Sequence, residues 1–238
     1  FKDKYSLQLT GRIDGSSKFG SNNKYGVFPT VSGAWTISEE DFMDNISWID
    51  FLKFRASYGI VGNQNGIGNF AAQGLWTGGA PYQGSPGIAP QQLANPDLKW
   101  EKTSMLDFGL DIDIFKGLFG ATLDWYKRNT TDILSQRADL PNSVGLAAPI
   151  VNAGAMENKG FELMLTGKPV QSKNVTWAIT GIYNHNRNKA TKIGKALTLL
   201  STNSGAPVSI IEGQPIGVFY GAYFALDAGG NLVKNASG

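Results

Sequence analysis

The sequence predicts an all-β protein, a transmembrane antiparallel β-barrel segment of about eight strands. Three features lead there: apolar/polar alternation of period two, long strand patterns, and connections that alternate between long and short. Period-two alternation marks strands whose faces meet different surroundings. The patterns run roughly nine to ten residues, longer than the usual five or six of soluble strands and close to the roughly 9–11 that a tilted strand needs to cross a bilayer. Short turns at one end of a sheet and long loops at the other are the mark of an outer-membrane barrel. A soluble sandwich would join its strands briefly at both ends.

The first pattern covers 5–13, with Tyr5, Leu7, Leu9, Gly11 and Ile13 on one face and Ser6, Gln8, Thr10 and Arg12 on the other. At 30–37, Val31, Trp35 and Ile37 oppose Thr30, Ser32 and Thr36; at 52–60, Leu52, Phe54, Ala56, Tyr58 and Ile60 oppose Lys53, Arg55 and Ser57. The clearest pattern is 106–114, where Leu106, Phe108, Leu110, Ile112 and Ile114 alternate with Asp107, Gly109, Asp111 and Asp113. Further strands are expected at 119–128, 160–167 and 175–184, and a weaker one at 218–226. The connections are then 14–27, 38–51, the very long 61–103, the tight 115–118, 129–159, 168–174 and 185–217. Ser38 is expected to cap a short helical turn led by Glu39, Glu40 and Asp41.

Composition narrows the function classes. Glycine supplies 30 of 238 residues, and only 17% are charged, against about 25% in average domains. The absence of cysteine excludes a disulfide scaffold, a thiolate zinc site and a cysteine nucleophile. One histidine, His185, excludes a histidine-cluster metal site, and its polar stretch 184–189 reads as a solvated loop. A net charge of +2 does not point to nucleic acid. No cofactor, metal or catalytic residue is expected. The chain opens at Phe1 without an initiator methionine or a signal peptide and reads as an excised piece.

Charge and aromatic placement fit a membrane wall. Lys127 and Lys159 have the outward parity, at expected strand ends where a lysine can snorkel. With the long loops outside, Trp100, Trp125 and Tyr126 fall near the outer interface, and Tyr5, Trp35, Phe119 and Trp177 near the inner one, as aromatic girdles do. Gly11, Gly109 and Gly181 are expected at close-packed positions. Asp107, Asp111 and Asp113 form a row with the inward parity of Lys53 and Arg55, so antiparallel pairing would set opposite charges across from each other. These five and Arg12 are the candidate lumen-facing wall. Residues 66–71 match a dinucleotide fingerprint formally, but no helix pattern follows and no acid stands about 20 residues on, so they read as loop. Among the amides and aromatics of the long loop, Asn65, Asn69, Trp76 and Tyr82 are the candidate ligand contacts.

Several ordered stretches resemble the SusC/RagA family of TonB-dependent outer-membrane transporters of Bacteroidetes. They are Arg12-Ile13-Asp14-Gly15-Ser16-Ser17-Lys18-Phe19-Gly20, Asn22-Asn23-Lys24-Tyr25-Gly26-Val27-Phe28-Pro29, and Ala34-Trp35-Thr36-Ile37-Ser38-Glu39-Glu40. The likeness continues in residues 52–59, in Gly62-Asn63, in Asn95-Pro96-Asp97-Leu98-Lys99-Trp100-Glu101-Lys102-Thr103, in residues 158–162, and in Gly213-Gln214-Pro215-Ile216-Gly217-Val218-Phe219-Tyr220-Gly221.

The resemblance implies a 22-stranded barrel, a plug, TonB as energy source, and a SusD-like lipoprotein partner for capturing an oligosaccharide or peptide. Residues 1–238 then form a partial barrel domain, from a later part of the barrel, without plug or TonB box. The expected location is the outer membrane, with lipid on one face, and the segment is not expected to act alone because two open sheet edges remain. The alternatives are a self-contained small barrel or adhesin, which family motifs disfavour, and a surface glycan-active enzyme, for which no acid pair emerges.

Overall fold

The computed structural model describes residues 1–137, 142–194, 199–201, 208–219 and 229. Seven long strands build one antiparallel sheet: β1 (Tyr5–Gly15), β2 (Tyr25–Thr36), β3 (Ile49–Asn63), β6 (Glu101–Ile114), β7 (Phe119–Thr131), β10 (Ala155–Gln171) and β11 (Thr176–Lys192). They pair in that order, each long strand with the next in the chain. Short hairpins fill the long connections: β4 (Leu75–Gly78) with β5 (Ile88–Gln92), and β8 (Leu134–Gln136) with β9 (Ile150–Asn152). A small sheet of β12 (Leu199–Ser201), β13 (Val208–Ser209) and β14 (Val218–Phe219) follows. The eighth expected strand, 218–226, is met only by β14; the rest of it lies outside the described residues.

Each of the seven long strands is longer than the alternation suggested. β10 and β11 run 17 residues each, so Lys127 and Lys159 lie inside strands and not at their ends. His185 also lies within β11, in register with Phe161 and with its ring 5.9 Å from the phenyl, and not in a solvated loop. Connections 16–24, 64–100 and 132–154 leave one end of the sheet, and the turns 115–118 and 172–175 leave the other, together with 37–48.

The two faces differ as the alternation requires. Leu7, Leu9 and Ile13 of β1 are more than two-thirds exposed on the apolar face. On the same face Phe54, Phe108 and Trp125 stack across β3, β6 and β7, with ring centroids 6.2 and 5.8 Å apart. Tyr5 and Trp35 pair at the short-turn end. Gly11 and Gly181 share this face with open space where a side chain would stand, so neither is close-packed. Tyr126 turns the other way; its hydroxyl donates to Asn186 on the polar face, and it is no girdle residue.

A single-layer sheet buries little, and the dry core sits under the loops. Phe19, Phe28, Ile67, Ala71, Leu98 and Trp100 form it. The Trp100 ring lies 4.7 Å from Phe19 and 5.5 Å from Phe28, and its indole N–H donates to the Lys24 carbonyl. Trp100 is therefore a loop-core residue and not an interface anchor: its position just before β6 turns it under the loops. The stretches around Gly20 and Leu98, far apart in sequence, meet here. Gly20 donates its N–H to the Leu98 carbonyl, and a Cβ at Gly20 would stand 1.7 Å from the Pro96 carbonyl oxygen. Ile67 and Ala71 of the formal fingerprint serve this core too, with no helix after them.

At the opposite end, residues 37–48 hold two 3-10 turns, Ile37–Glu39 and Asp41–Met43. Ser38 lies inside the first and caps nothing; the flanking Thr36 and Glu40 make no side-chain cap bonds. Glu40 instead fixes the segment to β1 and β2. It accepts from the Tyr5 hydroxyl, from the Trp35 indole at 3.0 Å and from Lys4 at 3.2 Å. The Tyr5 hydroxyl above all, then the Trp35 indole and Lys4, hold the Glu40 carboxyl below the usual glutamate range.

Leu98→Ala empties a fully buried site and is expected to destabilise the loop core by about 2–5 kcal/mol, read as faster amide exchange in 16–24 and 64–100 while the sheet stays protected. A lowered Glu40 pKa means the folded form is favoured above the unfolded value of about 4.3 and loses that advantage as pH falls through the lower folded value. Amide protection of 37–43 is thus expected to drop on acidification below about pH 4, and Glu40→Gln to weaken protection at neutral pH and remove that dependence.

Candidate functional site

The polar face carries a charge network in the middle of the sheet. In register, Arg55 of β3, Gly109 of β6 and Asp124 of β7 stand in one row across three strands. The Arg55 guanidinium donates to Asp111 through Nε at 2.8 Å and Nη2 at 3.3 Å, and reaches Asp124 at 2.8 Å. It reaches that far because Gly109 has no side chain: a Cβ there would lie 2.5 Å from Arg55 Cζ and 2.6 Å from Asp124 Oδ1. Lys53 stands opposite Asp111, Asp107 between Ser57 and Tyr126, and Asp113 between Phe51 and Gly120. Five of the six expected wall residues thus share one face of β3 and β6. Asp124 is the member that the sequence reading missed, although it has the polar parity in the 119–128 pattern.

Arg12, the sixth, lies elsewhere. Its Nε donates to Asp14 at 2.7 Å at the long-loop end of β1. There a polar cleft of about 300 Å³ opens between β1 and the start of the long loop, lined among others by Arg12, Asp14, Asn63, Gln64, Asn65 and Trp100. Asn63 accepts from the Asn65 backbone N–H at 2.9 Å and donates to Glu101 at 2.9 Å, which fixes the loop as it leaves β3. The buried Gln64 Oε1 has no hydrogen-bond partner. The structure therefore brings Arg12 and Asn65 together, and adds Gln64.

The other three expected contacts do not join them. Asn69 is exposed between the core residues Ile67 and Ala71. Trp76 and Tyr82 are 65% and 75% exposed on the β4–β5 hairpin. Many loop amides serve the loops themselves. Gln92 donates toward the carbonyls of Phe70, Ala71 and Gln73. Asn152 accepts from the Lys99 N–H and donates to the Lys99 and Asp132 carbonyls, clasping 64–100 to 132–154. Asn95 donates to the Ile150 carbonyl across the same seam. A second cleft of about 460 Å³, lined by Asp132, Arg137, Asn152 and Lys192 among others, lies beside it.

Chemically, this arrangement holds charges still and offers polar contacts at a rim. Among the described residues, no group of three or more histidine, aspartate or glutamate side chains is placed to hold a metal ion. Asp111 and Asp124 bind one guanidinium, which suits a fixed lining.

Comparison with known proteins agrees with the two-faced sheet. A family model described as TonB dependent receptor-like, beta-barrel matches residues 1–235. The chain is similar to TonB-dependent receptor P39 of Formosa agariphila, 35% identical over 224 residues that cover 93% of this chain and 21% of that protein. It is similar to TonB-dependent receptor SusC of Bacteroides thetaiotaomicron, 32% identical over 198 residues, or 80% of this chain and 20% of that one. Among solved structures, the RagAB peptide importer in its closed-closed state matches with TM-score 0.84 and 32% identity over 98% of this chain and 27% of its own. The chain thus spans between a fifth and a quarter of the length of these curated relatives.

The wall geometry predicts a coupling that depends on Gly109. A double-mutant cycle on Arg55→Gln and Asp124→Asn is expected to give a coupling on the order of 1 kcal/mol. In a Gly109→Ala background the new methyl group displaces the guanidinium from Asp124, so this coupling falls toward zero while that between Arg55 and Asp111 persists.

Proposed function

The chain belongs to the TonB-dependent receptor-like β-barrel family, and we propose that it forms a stretch of wall and outer loops of an outer-membrane nutrient importer. On this reading the polar face lines the lumen and the apolar face meets lipid. The whole importer takes up an oligosaccharide or peptide, receives it with a SusD-like surface lipoprotein, and is energised by TonB through a plug region. The supporting observation is the division of one sheet into an apolar face with stacked aromatics and a polar face with an ion network, with the two longest connections of the sheet, 64–100 and 132–154, at the same end. The likeness to the RagAB peptide importer supports the peptide class. Within the sheet, β1 and β11 each pair on one side only among the described residues. Unpaired edges suit a longer barrel, since lipid cannot satisfy them, and they disfavour the self-contained small barrel.

In this scheme Arg12, Asn65 and Gln64 meet the ligand at the rim, and Lys53, Arg55, Asp107, Asp111 and Asp113 line its path. The side chains that line this cleft, among them Arg12, Asn65 and Gln64, are polar and suit a ligand rich in hydrogen-bonding groups, as sugars and peptides are. Cells carrying the full-length transporter are expected to take up labelled oligosaccharide or peptide in a way that a protonophore abolishes. Arg12→Ala and Gln64→Ala are each expected to lower ligand affinity about five- to ten-fold, as the loss of one hydrogen bond implies, without lowering barrel abundance. Uptake that survives the protonophore, or loss of TonB, would refute the active-import reading.

A further inference from the structure

On the apolar face, three cations stand abreast. Lys127 of β7 lies in register with Lys159 of β10, and Lys159 with Arg187 of β11. Directly opposed like charges destabilise a sheet, and their Cβ atoms are about 5 Å apart from strand to strand. The row immediately toward the short-turn end is aromatic: Trp125, Phe161 and His185, with Phe108 beyond Trp125. The row immediately toward the loops is Asn129, Glu157 and Lys189. Glu157 is the one acid across these two rows. It binds Lys127 at 2.8 Å and lies 3.8 Å from Lys159. Arg187 donates to His185 Nε2 at 3.2 Å and finds no carboxylate in that bond. Four basic side chains thus surround one carboxylate, on a face that is mainly apolar toward the short-turn end and carries Lys102 of β6 one row further toward the loops.

The height of this cluster sets what can meet it. Lys127 comes eight residues after Phe119, the first residue of β7. At about 3.3 Å per residue and a tilt of about 40°, that is about 20 Å along the membrane normal. An apolar band about 25 Å tall ends near this level. The cations therefore lie just above the stacked aromatics, where hydrocarbon gives way to headgroups.

We propose that Lys127, Lys159, Arg187 and Lys189 form a binding site for the phosphate of an outer-leaflet glycolipid. The row spans on the order of 10 Å, which admits a phosphorylated sugar headgroup. Its acyl chains lie against Phe108, Trp125 and Phe161 below. A bound phosphate relieves the repulsion that one glutamate leaves uncompensated, and charge-assisted bonds from lysine and arginine to phosphate are among the strong ones. The proposal rests on the outer-membrane reading above, since the cluster must face lipid.

The test uses the full-length protein in phosphatidylethanolamine nanodiscs doped with lipid A, or with lipid A stripped of its phosphates, followed by native mass spectrometry. Insertion into the discs is scored first, and its failure counts against the membrane reading alone. In inserted protein, phosphorylated lipid A is expected to stay bound and the stripped form to be lost. Each basic group near an anionic lipid surface multiplies affinity about five-fold, so Lys127→Gln, Lys159→Gln and Arg187→Gln together are expected to cut retention about a hundred-fold. Glu157→Gln removes the competing carboxylate and is expected to raise retention; a merely structural role for Glu157 predicts no rise, and this variant decides the matter if the triple variant does not insert. Equal retention of the two lipids, a triple variant indistinguishable from wild type, no rise with Glu157→Gln, or displacement by millimolar inorganic phosphate would overturn the proposal.

Discussion

One constraint orders the rest of this structure: a strand beside lipid must give every backbone N–H and C=O a neighbour in the sheet. Water is absent there and side chains cannot replace it. The long strands meet that demand by pairing in chain order, with no crossover, and only the outer edges of β1 and β11 leave it open among the described residues. Once the backbone is so committed, alternation sends half the side chains to each side. A sheet one layer thick cannot build a dry interior between its faces. The buried cluster is therefore moved to the end where the long connections can fold over one another, around Leu98 and Trp100. The wall and the loop core are separate solutions to the same problem of burial.

Polar side chains divide between those two parts by chemistry. In the wall they are charged and bind one another: Arg55 satisfies Asp111 and Asp124 at once, across a strand whose glycine lets it pass. In the loops they are largely amides and bind backbone. A folded loop carries carbonyls and N–H groups that no ladder serves, and Gln92, Asn95 and Asn152 serve them. The abundance of Asn and Gln between strands is thus largely a structural need. The cleft around Gln64 is where an amide is left over.

The strands were legible because lipid on one side and polar surroundings on the other write a period of two into the residues. Their ends were not, because above the bilayer both faces are wet and the alternation stops while the ladder continues. The stretch 184–189, Asn-His-Asn-Arg-Asn-Lys, has no apolar period and reads as loop, yet it is paired along its length with β10. The same effect hid the cation row, since Lys127 and Lys159 looked like strand ends. Trp100 was misplaced for another reason: nearness to a strand end does not say which way a ring turns, and its partners Phe19 and Phe28 lie more than 70 positions away. The pairing of Arg55 with the aspartate row was legible from parity alone. Its reach to Asp124 was not, because it depends on what glycine leaves open.

The rim cleft and the ion network lie well apart on the polar face. Arg12 and Ser6 lie on the same face of β1, and Ser6 shares a row with Ala34 and Arg55. Six residues of strand put the two sites about 20 Å apart along β1. Trp100 lines the rim cleft and also anchors the loop core, so a ligand seated there touches a residue that the 16–24 and 64–100 connections share. Contact at the rim is therefore able to act on loop position, whereas contact with the network meets side chains already held by ion pairs and strands. On the importer reading, selection belongs to the rim and passage belongs to the wall, where Arg55, Asp111 and Asp124 already bind one another.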